Sequence, residues 1–266
     1  MVRLENPKHF DLKTIMNSGQ CFRIFEVGPN LFDVISMDNW VRVSYGEQDN
    51  TYWFDCTAEE FYQYWYGYFN LDTNYEPYFT AIKNSNDEFL KNAAEYGNGM
   101  RILRQNYWET IVSFIISQNN NIPRIKKSIE TLCKKFGRPM VKYNMIYYSF
   151  PYKEDMTNIN LEDLNDLGLG YRAKYIYNVC TCDSSLLEPN NLLNILGIGP
   201  KVAACIELFG LHKMGSYPID TWVRKIIDEI YDGNFDTNPY GGFEGFVQQL
   251  QFYYYRHLKM KGGGKN

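Results

Sequence analysis

Two side chains late in the sequence have the types and the spacing that covalent amine catalysis requires. Lys201 follows a turn rich in glycine and proline, and Asp220 follows the lysine by nineteen residues, in a proline-bounded loop that can fold back over that turn. An amine with a neighbouring carboxylate can attack an electron-poor carbon, while the carboxylate stabilises the positive charge that develops. The pair therefore predicts a lysine nucleophile with an electrostatic partner.

The turn before the lysine must position that pair. Two glycines and a proline separate the apolar run 192–196 from the apolar run 202–208, which predicts that one helix ends and another begins there. Such a hairpin exposes backbone N–H groups at Gly197, Gly199 and Val202 beside a helix N-terminus, where a phosphate group binds well. An ordinary turn between helices, with a solvated lysine, is the alternative interpretation.

The composition limits the class of protein. The chain has 266 residues, a formal net charge of −4, and 23 Tyr, 17 Phe and 5 Trp. This length can bury a large core, and the net acidity argues against a broadly basic nucleic-acid coat, so anion contacts would be local. Most of the aromatic residues are expected in the core, although aromatic rings also stack on an extruded base.

The cysteines and histidines argue against a disulfide framework and a metal centre. The six cysteines are scattered without a Cys-x-x-Cys pair, and there are three histidines. We therefore expect a reduced, cytoplasmic protein with no metal ion and no organic cofactor. No apolar stretch is long enough to span a membrane and the first residues lack a signal-like apolar run, so we expect no membrane contact.

The spacing of apolar residues changes near residue 75. Before it, short β-prone runs separated by turn residues predict an antiparallel sheet, with strands within 21–27, 31–36, 40–45 and 51–54. Helical spacing follows at 57–69 and from Tyr78 onward, which predicts an α+β chain with an all-helical body. The expected parts are a β-sheet domain at 1–78, a helical domain at 79–258 and a flexible tail at 259–266.

Four separated segments carry further motifs. They read NSGQCFR at 17–23, GMRILRQ at 99–105, SQNNNIPR at 117–124 and GLGYRA at 168–173. In this order, and with the lysine hairpin and its aspartate, they resemble the 8-oxoguanine DNA glycosylase/lyase family of the helix-hairpin-helix-GPD superfamily. The resemblance runs from about residue 10 to about residue 258. It implies a small antiparallel sheet joined to a helix-hairpin-helix glycosylase body, with the active site in the cleft between them.

The resemblance also implies an activity on double-stranded DNA that contains 8-oxoguanine opposite cytosine. Lys201, partly desolvated, would lose its proton more readily than in water and attack the anomeric carbon of the damaged nucleotide. The base leaves, a Schiff base forms, and β-elimination nicks the strand. Asp220 would stabilise the cationic sugar. We expect a monomer, with Gly197, Gly199 and Val202 at a DNA phosphate.

Four residues match the base pocket of the family. In the family, the glycine that matches Gly19 offers its carbonyl to the ring N–H that distinguishes 8-oxoguanine from guanine. Guanine would present a lone pair to that carbonyl instead, and both groups would then stay unsatisfied. Cys205 and Phe252 match residues that sandwich the flipped base, and Gln248 matches the residue that bonds its pairing edge. Spacings of four place Cys205 with Lys201, and Gln248 with Phe252, on one helix face. Without the family, these residues fit a turn, core positions and the surface equally well.

Four other residues match positions that fill the gap left by the extruded base. Asn119 would occupy the vacated space and Tyr171 would wedge beside the opposite base. Arg124 and Arg172 would donate to that base, since forked guanidinium groups suit the acceptor edge of cytosine. The alternative for the run of asparagines at 119–121 is a polar loop with a helix cap.

The sequence departs from the family at one corner of the site. Family members usually carry histidine two residues after the aspartate, where this chain has Trp222, and Tyr255 stands in place of the acidic residue that pairs with that histidine. Trp222 has helical spacing with Ile226, so we interpret it as a core residue rather than a catalytic one.

Two other functions stay open from the sequence. A helix-hairpin-helix module that only binds DNA would use the same turn, but it would not need the lysine, the aspartate and a base pocket together. A glycosylase of the same superfamily that acts on alkylated purines or oxidised pyrimidines is the alternative enzyme. The contexts of Gly19 and Gln248 favour 8-oxoguanine over those lesions.

Overall fold

A computed structural model describes residues 1–262, and its N-terminal part is a five-stranded antiparallel sheet. The strands lie in the order β1-β5-β4-β3-β2. They are β1 (Val2–Glu5), β2 (Ile24–Gly28), β3 (Leu31–Ser36), β4 (Asn39–Gly46) and β5 (Thr51–Phe54). The predicted sheet is confirmed, with one strand more than expected, since β1 pairs with β5 at the edge.

The sheet packs against short helices from the same part of the chain. The first, α1 (Leu12–Asn17), begins after Asp11, whose side chain accepts a hydrogen bond from the backbone N–H of Thr14. A continuous helical stretch follows β5 and consists of α2 (Ala58–Glu60), a π-helical turn (Phe61–Trp65) and α3 (Tyr66–Tyr68). Apolar side chains from the strands and from both helical stretches form one buried cluster; it includes Leu12, Ile15, Ile24, Phe32, Val34, Val41, Phe54, Phe61 and Trp65.

The rest of the chain is built mainly from helices around a second core. The helices are α4 (Glu76–Lys83), α5 (Glu88–Tyr96), α6 (Tyr107–Ser117), α7 (Ile122–Phe136), α8 (Arg172–Thr181), α9 (Pro200–Gly210), α10 (Thr221–Ile230) and α11 (Glu244–Gly262). Residues 109–116 of α6 are all buried, because this helix packs against α7, α8 and α9. A helix that is covered on every side can be apolar all round. Helix α11 packs against α5 and α10.

The expectation of an all-helical body is wrong at one place. A two-stranded antiparallel hairpin, β6 (Pro139–Lys142) and β7 (Met145–Tyr148), interrupts the helices. Its two connecting residues, Tyr143 and Asn144, have φ angles of +54° and +57°. Positive φ at both residues is the geometry of the tight turn that matches strand twist, and it closes this hairpin.

The end of the chain also differs from the expectation. Helix α11 continues through residues 259–262, so these four residues are helical and not part of the flexible tail that was expected at 259–266. Lys259 holds this last turn, because its Nζ donates to Glu229 of α10 at 2.8 Å. Residues 263–266 lie outside the described residues. The boundary at residue 78 stays a prediction.

Candidate active site

The hairpin that carries Lys201 agrees with the prediction in its second half and differs in its first. Helix α9 begins at Pro200, so Lys201 lies in its first turn and is partly buried. The element before the turn is a 3-10 helix (Pro189–Asn194) rather than an α-helix, since asparagines favour turns over helix interiors. Gly197 has a φ angle of +100°, and a Cβ there would lie 2.4 Å from the ring of Tyr175, so this position requires glycine.

The start of α9 has the geometry of an anion site. Gly199 is its N-cap residue, and the N–H groups of the first turn have no intrahelical acceptor. The side chain of Val202 is buried, so only its backbone is available to a ligand. A surface depression is lined by Gly199, Lys201 and Val202, whereas Gly197 turns its carbonyl toward Gln118 Nε2 at 2.9 Å. Phosphate binding at this turn stays a prediction.

Asp220 lies beside the lysine because it caps the next helix. Its Oδ1 accepts hydrogen bonds from the backbone N–H groups of Trp222 (2.9 Å) and Val223 (2.8 Å) at the start of α10. Within residues 1–262, Asp220 Oδ2 has no hydrogen-bond partner. One carboxylate oxygen therefore fixes the side chain, and the other is available to a ligand.

One cavity brings together all the residues predicted for catalysis and base binding. This central cavity has a volume of about 420 Å³ and opens between the sheet domain and the helical body. Its walls include Gly19, Lys201, Cys205, Asp220, Gln248 and Phe252. The structure therefore brings the six residues together, and their individual roles stay a prediction.

The chemistry of Cys205 argues against the thiol as a nucleophile, and the role of Lys201 stays a prediction. Burial raises the pKa of the Cys205 thiol to about 11; nearby Lys201 acts to lower it, and Asp220 adds to the rise. The thiol is therefore neutral near pH 7, and a neutral thiol is a poor nucleophile. The Lys201 ammonium lies 5.6 Å from the centre of the Phe114 ring, so its surroundings are partly apolar.

Gly19 is held in place by contacts between two of the sequence motifs. The Gln20 side chain accepts a hydrogen bond from Leu103 N–H at 2.8 Å, and Gln105 Nε2 donates to the Gln20 carbonyl at 2.7 Å. Gly19 has a φ angle of +82°, and a Cβ there would lie 3.2 Å from Phe252 Cε1. The position thus favours glycine both for backbone conformation and for space.

Helix α11 contributes three cavity residues that the sequence reasoning missed, Gln249, Arg256 and Met260. Arg256 lies one turn beyond Phe252, with its guanidinium carbon 5.1 Å from the centre of that ring. Burial lowers the pKa of Arg256, and the charge of Asp220 opposes this effect. Extending the four-residue spacing of Gln248 and Phe252 by one more turn would have found Arg256. Gln249 also lines the cavity, but no spacing signal in the sequence points to it.

The residues expected to fill the gap in the duplex lie together around the 118–121 loop. Asn119 is exposed with a φ angle of +46°, and Tyr171 is 52% exposed. Arg124 is exposed at the start of α7, where Asn121 accepts its backbone N–H at 3.0 Å. Asn121 is therefore the helix cap of the asparagine run, which leaves Asn119 as the exposed tip.

Arg172 has contacts that differ from the expected ones. It is buried, and its guanidinium donates to the carbonyl oxygens of Gln118 (2.7 Å from Nε) and Asn119 (2.8 Å from Nη2). These bonds direct the guanidinium to the protein backbone, and its contact with an opposite base stays a prediction. In this structure Arg172 positions the loop that carries Asn119.

Our interpretation of Trp222, at the corner of the site where the sequence departs from the family, is wrong. Trp222 is not a core residue, because it lies in the first turn of α10, is partly exposed and lines the central cavity. Tyr255 is buried, and its hydroxyl donates to Glu229 at 2.6 Å. A tyrosine–glutamate hydrogen bond thus stands at this corner, and Trp222 meets Tyr255 edge to face.

Neither a metal centre nor a membrane helix is found in the described part of the chain. Within residues 1–262, no group of three or more His, Cys, Asp and Glu side chains could hold a metal ion. No helix in the same residues combines the length and the apolar character needed to cross a bilayer.

Comparison with known proteins supports this description. Residues 3–111 match the family model of the 8-oxoguanine DNA glycosylase N-terminal domain, and residues 112–238 match the HhH-GPD superfamily of base excision DNA repair proteins. The chain is 35% identical over 197 residues to an N-glycosylase/DNA lyase of Saccharomyces cerevisiae, in a match that covers 64% of this chain. The match covers 52% of the yeast protein, so this chain spans about half of that relative's length.

Two similar solved structures cover nearly the whole chain. The structure of MBOgg1 in complex with a low-affinity DNA ligand is 33% identical with a TM-score of 0.89, and covers 97% of this chain and 96% of its own. The Clostridium acetobutylicum 8-oxoguanine glycosylase/lyase, in complex with double-stranded DNA containing cytosine opposite 8-oxoguanine, is 31% identical with a TM-score of 0.87. That match covers 97% of this chain and 95% of the other.

The sheet, the lysine hairpin and the capping aspartate define a protein of the HhH-GPD superfamily of base excision DNA repair proteins. Within that superfamily, the match of the N-terminal part and the coverage of both solved structures are decisive. The chain belongs to the 8-oxoguanine DNA glycosylase family.

Proposed function

We propose that this protein is a bifunctional enzyme that excises 8-oxoguanine from duplex DNA and then nicks the strand. The observation that carries the proposal is the central cavity, in which Lys201 and Asp220 face the base-pocket residues Gly19, Gln248 and Phe252. The names of the similar proteins, an N-glycosylase/DNA lyase and an 8-oxoguanine glycosylase/lyase, support the same activity.

The amine of Lys201 attacks C1′ of the damaged nucleotide in its neutral form. The bond from C1′ to the base breaks, and the base leaves with the electron pair and takes up one proton from the amine. The C1′–O4′ bond then breaks to open the sugar ring, O4′ takes up the second amine proton, and C1′ and the lysine nitrogen form a Schiff base. Asp220 stabilises the cationic sugar through its unpaired Oδ2, while Oδ1 keeps the side chain in place. Removal of a C2′ proton then expels the 3′ phosphate, which is the β-elimination that nicks the strand.

The remaining residues recognise the lesion and the duplex. Cys205 and Phe252 stack on the two faces of the extruded base, Gln248 bonds its pairing edge, and the Gly19 carbonyl accepts its N7–H. The backbone N–H groups at the start of α9 bind a DNA phosphate. We propose that a monomer is active.

Asn119, Tyr171 and Arg124 enter the duplex and face the opposite cytosine. Their exposure around one loop supports this role, since each side chain is accessible to DNA without rearrangement of the core. Arg172 contributes by holding the loop.

Borohydride trapping tests the nucleophile, because reduction converts a Schiff base into a stable amine. The protein should form a covalent complex with a duplex that contains 8-oxoguanine, and Lys201→Gln should abolish this complex while lesion binding is kept. Lys83→Gln, an exposed lysine of α4, is the control and should trap like the parent. Normal cross-linking by Lys201→Gln would assign the chemistry to another amine.

A panel of duplexes separates this proposal from its alternatives. Each duplex carries one lesion: 8-oxoguanine, an alkylated purine or an oxidised pyrimidine. Preferred excision of 8-oxoguanine supports the proposal, preferred excision of another lesion assigns a different glycosylase, and binding without cleavage of any duplex indicates a module that only binds DNA.

A further inference from the structure

Gln249 has an unmet hydrogen-bonding group in the wall of the central cavity. Its side chain is 4% exposed, and its Nε2 donates to Gln248 Oε1 at 2.9 Å. Its own Oε1 is buried and accepts no hydrogen bond from residues 1–262. Four buried side-chain atoms lack a partner in the described residues, and of these only Gln249 Oε1 belongs to a residue that lines the central cavity.

A buried acceptor without a donor is unfavourable, and native proteins rarely keep one without a reason. The bond to Gln248 limits the orientation of the Gln249 amide, because Nε2 must stay on the side of Gln248. The free oxygen is therefore held in position. A ligand donor that reaches the cavity wall beside Gln248 would satisfy it.

The pairing edge of a guanine-type base carries two adjacent donors, the ring N1–H and the exocyclic amine at C2. A single glutamine oxygen can face one of them well, whereas two neighbouring oxygens match both. Gln248 Oε1 has a second lone pair beyond the one used by Gln249, so it can still accept from the base.

We propose that Gln249 is a second specificity-determining residue of the base pocket, and that its Oε1 accepts a hydrogen bond from the C2 amine while Gln248 accepts from N1–H. The inference rests on the proposed excision of 8-oxoguanine. It makes the C2 amine a recognised group, so the site selects 2-aminopurine-type lesions over 8-oxo bases that lack the amine.

The test compares two bases that differ only by that amine, 8-oxoguanine and 8-oxohypoxanthine, each in the same duplex. The parent should excise 8-oxoguanine with a kcat/KM about tenfold higher. Gln249→Met keeps the length of the side chain and removes the acceptor, so it should lower kcat/KM for 8-oxoguanine by about ten- to a hundredfold and change that for 8-oxohypoxanthine much less. The ratio of the two effects measures the contact between the residue and the amine.

Gln251→Met is the matched control, because Gln251 is a buried glutamine of the same helix that does not line the cavity. Its amide is bonded to the hydroxyl groups of Tyr217 (2.5 Å) and Tyr231 (3.1 Å). This variant should affect both bases by the same factor.

Equal effects of Gln249→Met on both bases would overturn the inference and assign Gln249 to packing alone. Equal excision of the two bases by the parent would overturn it as well. Failure of the proposed function has a different signature, since the parent would then excise neither base while variants and parent behave alike on every duplex.

Discussion

The central cavity and the 118–121 loop differ in how far their polar groups are hydrogen-bonded within the protein. In the cavity, Gln249 Oε1 is buried and accepts no hydrogen bond from residues 1–262. In the loop, Arg172 bonds the carbonyls of Gln118 and Asn119, and only the tips of the side chains are exposed. The cavity thus keeps a buried acceptor without a protein donor, whereas the loop carbonyls have donors from within the protein. Lesion recognition is therefore expected to depend on single atoms, and duplex entry on the shape of a supported loop.

Removal of the Asp220 charge from the cavity should have the largest effect on the excision rate. Asp220→Asn keeps the shape and the helix cap, since asparagine is also a good N-cap residue. Excision of 8-oxoguanine should slow by about two to three orders of magnitude in single-turnover assays, because the cationic sugar loses its electrostatic partner. Lesion binding and thermal stability should stay near those of the parent. A parental excision rate would remove Asp220 from the mechanism.

Crowding the cavity wall at Gly19 should have the next largest effect. Gly19→Ala adds a methyl group 3.2 Å from Phe252 and strains a φ angle of +82°, at a cost of about 1–2 kcal/mol, which corresponds to roughly a five- to thirtyfold loss of 8-oxoguanine excision. Cleavage of abasic DNA, which needs no base in the pocket, should fall much less.

Gly242→Ala is the matched control for that variant. Gly242 has a φ angle of +92° but no neighbouring atom within 4 Å of an added Cβ, so it reports the backbone strain without the contact. If Gly19→Ala excised 8-oxoguanine as well as the parent does, Gly19 would be an ordinary turn residue.

At the loop, the variant that removes the supporting Arg172 and the variant that removes the exposed Arg124 should have different effects on stability and on opposite-base preference. Arg172→Ala leaves carbonyl oxygens of Gln118 and Asn119 without their donors, so the free energy of unfolding should fall by about 1–3 kcal/mol. Arg124→Ala removes an exposed side chain and should change that free energy by less than about 0.5 kcal/mol. It should weaken the preference for cytosine over adenine opposite the lesion. The reverse pattern in denaturation and excision assays would assign Arg172 to the base and Arg124 to the fold.

A separate effect is expected in acid, a loss of stability that involves neither region. Burial lowers the pKa of His212 from 6.5 to about 4, with nearby Arg104 adding to the shift, and Asn70 Nδ2 donates to its Nε2 at 3.2 Å. The unfolded chain then binds this proton more tightly than the folded chain, so the free energy of unfolding falls as the pH drops from about 6.5 to about 4. The loss should be on the order of 1–2 kcal/mol after allowance for solvent screening. His212→Gln should flatten the pH dependence in thermal denaturation; an unchanged slope would place the titrating group elsewhere.

Sequence spacing correctly predicted the residues that a regular helix or strand holds in place. The four-residue intervals from Lys201 to Cys205 and from Gln248 to Phe252 hold because each pair lies on one regular helix. The four β-prone runs predicted the strands for the same reason. The short edge strand Val2–Glu5 has only two apolar residues, so it carried little signal.

The residues that sequence reasoning misplaced depend on contacts between distant segments. Trp222 has the spacing of a core residue, but α10 begins at Thr221, which turns the first residues of the helix toward the cavity. The direction of Arg172 depends on the carbonyls of a loop more than fifty residues earlier in the chain. Gln249 Oε1 is left without a partner because the amide of Gln249 bonds Gln248 through Nε2. The composition of the sequence does not encode which partner that amide takes.

The hydrogen bond from Gln105 to the Gln20 carbonyl has a consequence for fidelity. It fixes Gly19, which the sheet domain supplies, whereas Lys201 belongs to a helix of the other core. In the proposed function, the group that distinguishes the damaged base from guanine and the amine that attacks the sugar thus lie in different parts of the molecule. We therefore expect heating to lower discrimination against guanine at temperatures below those that abolish cleavage of abasic DNA.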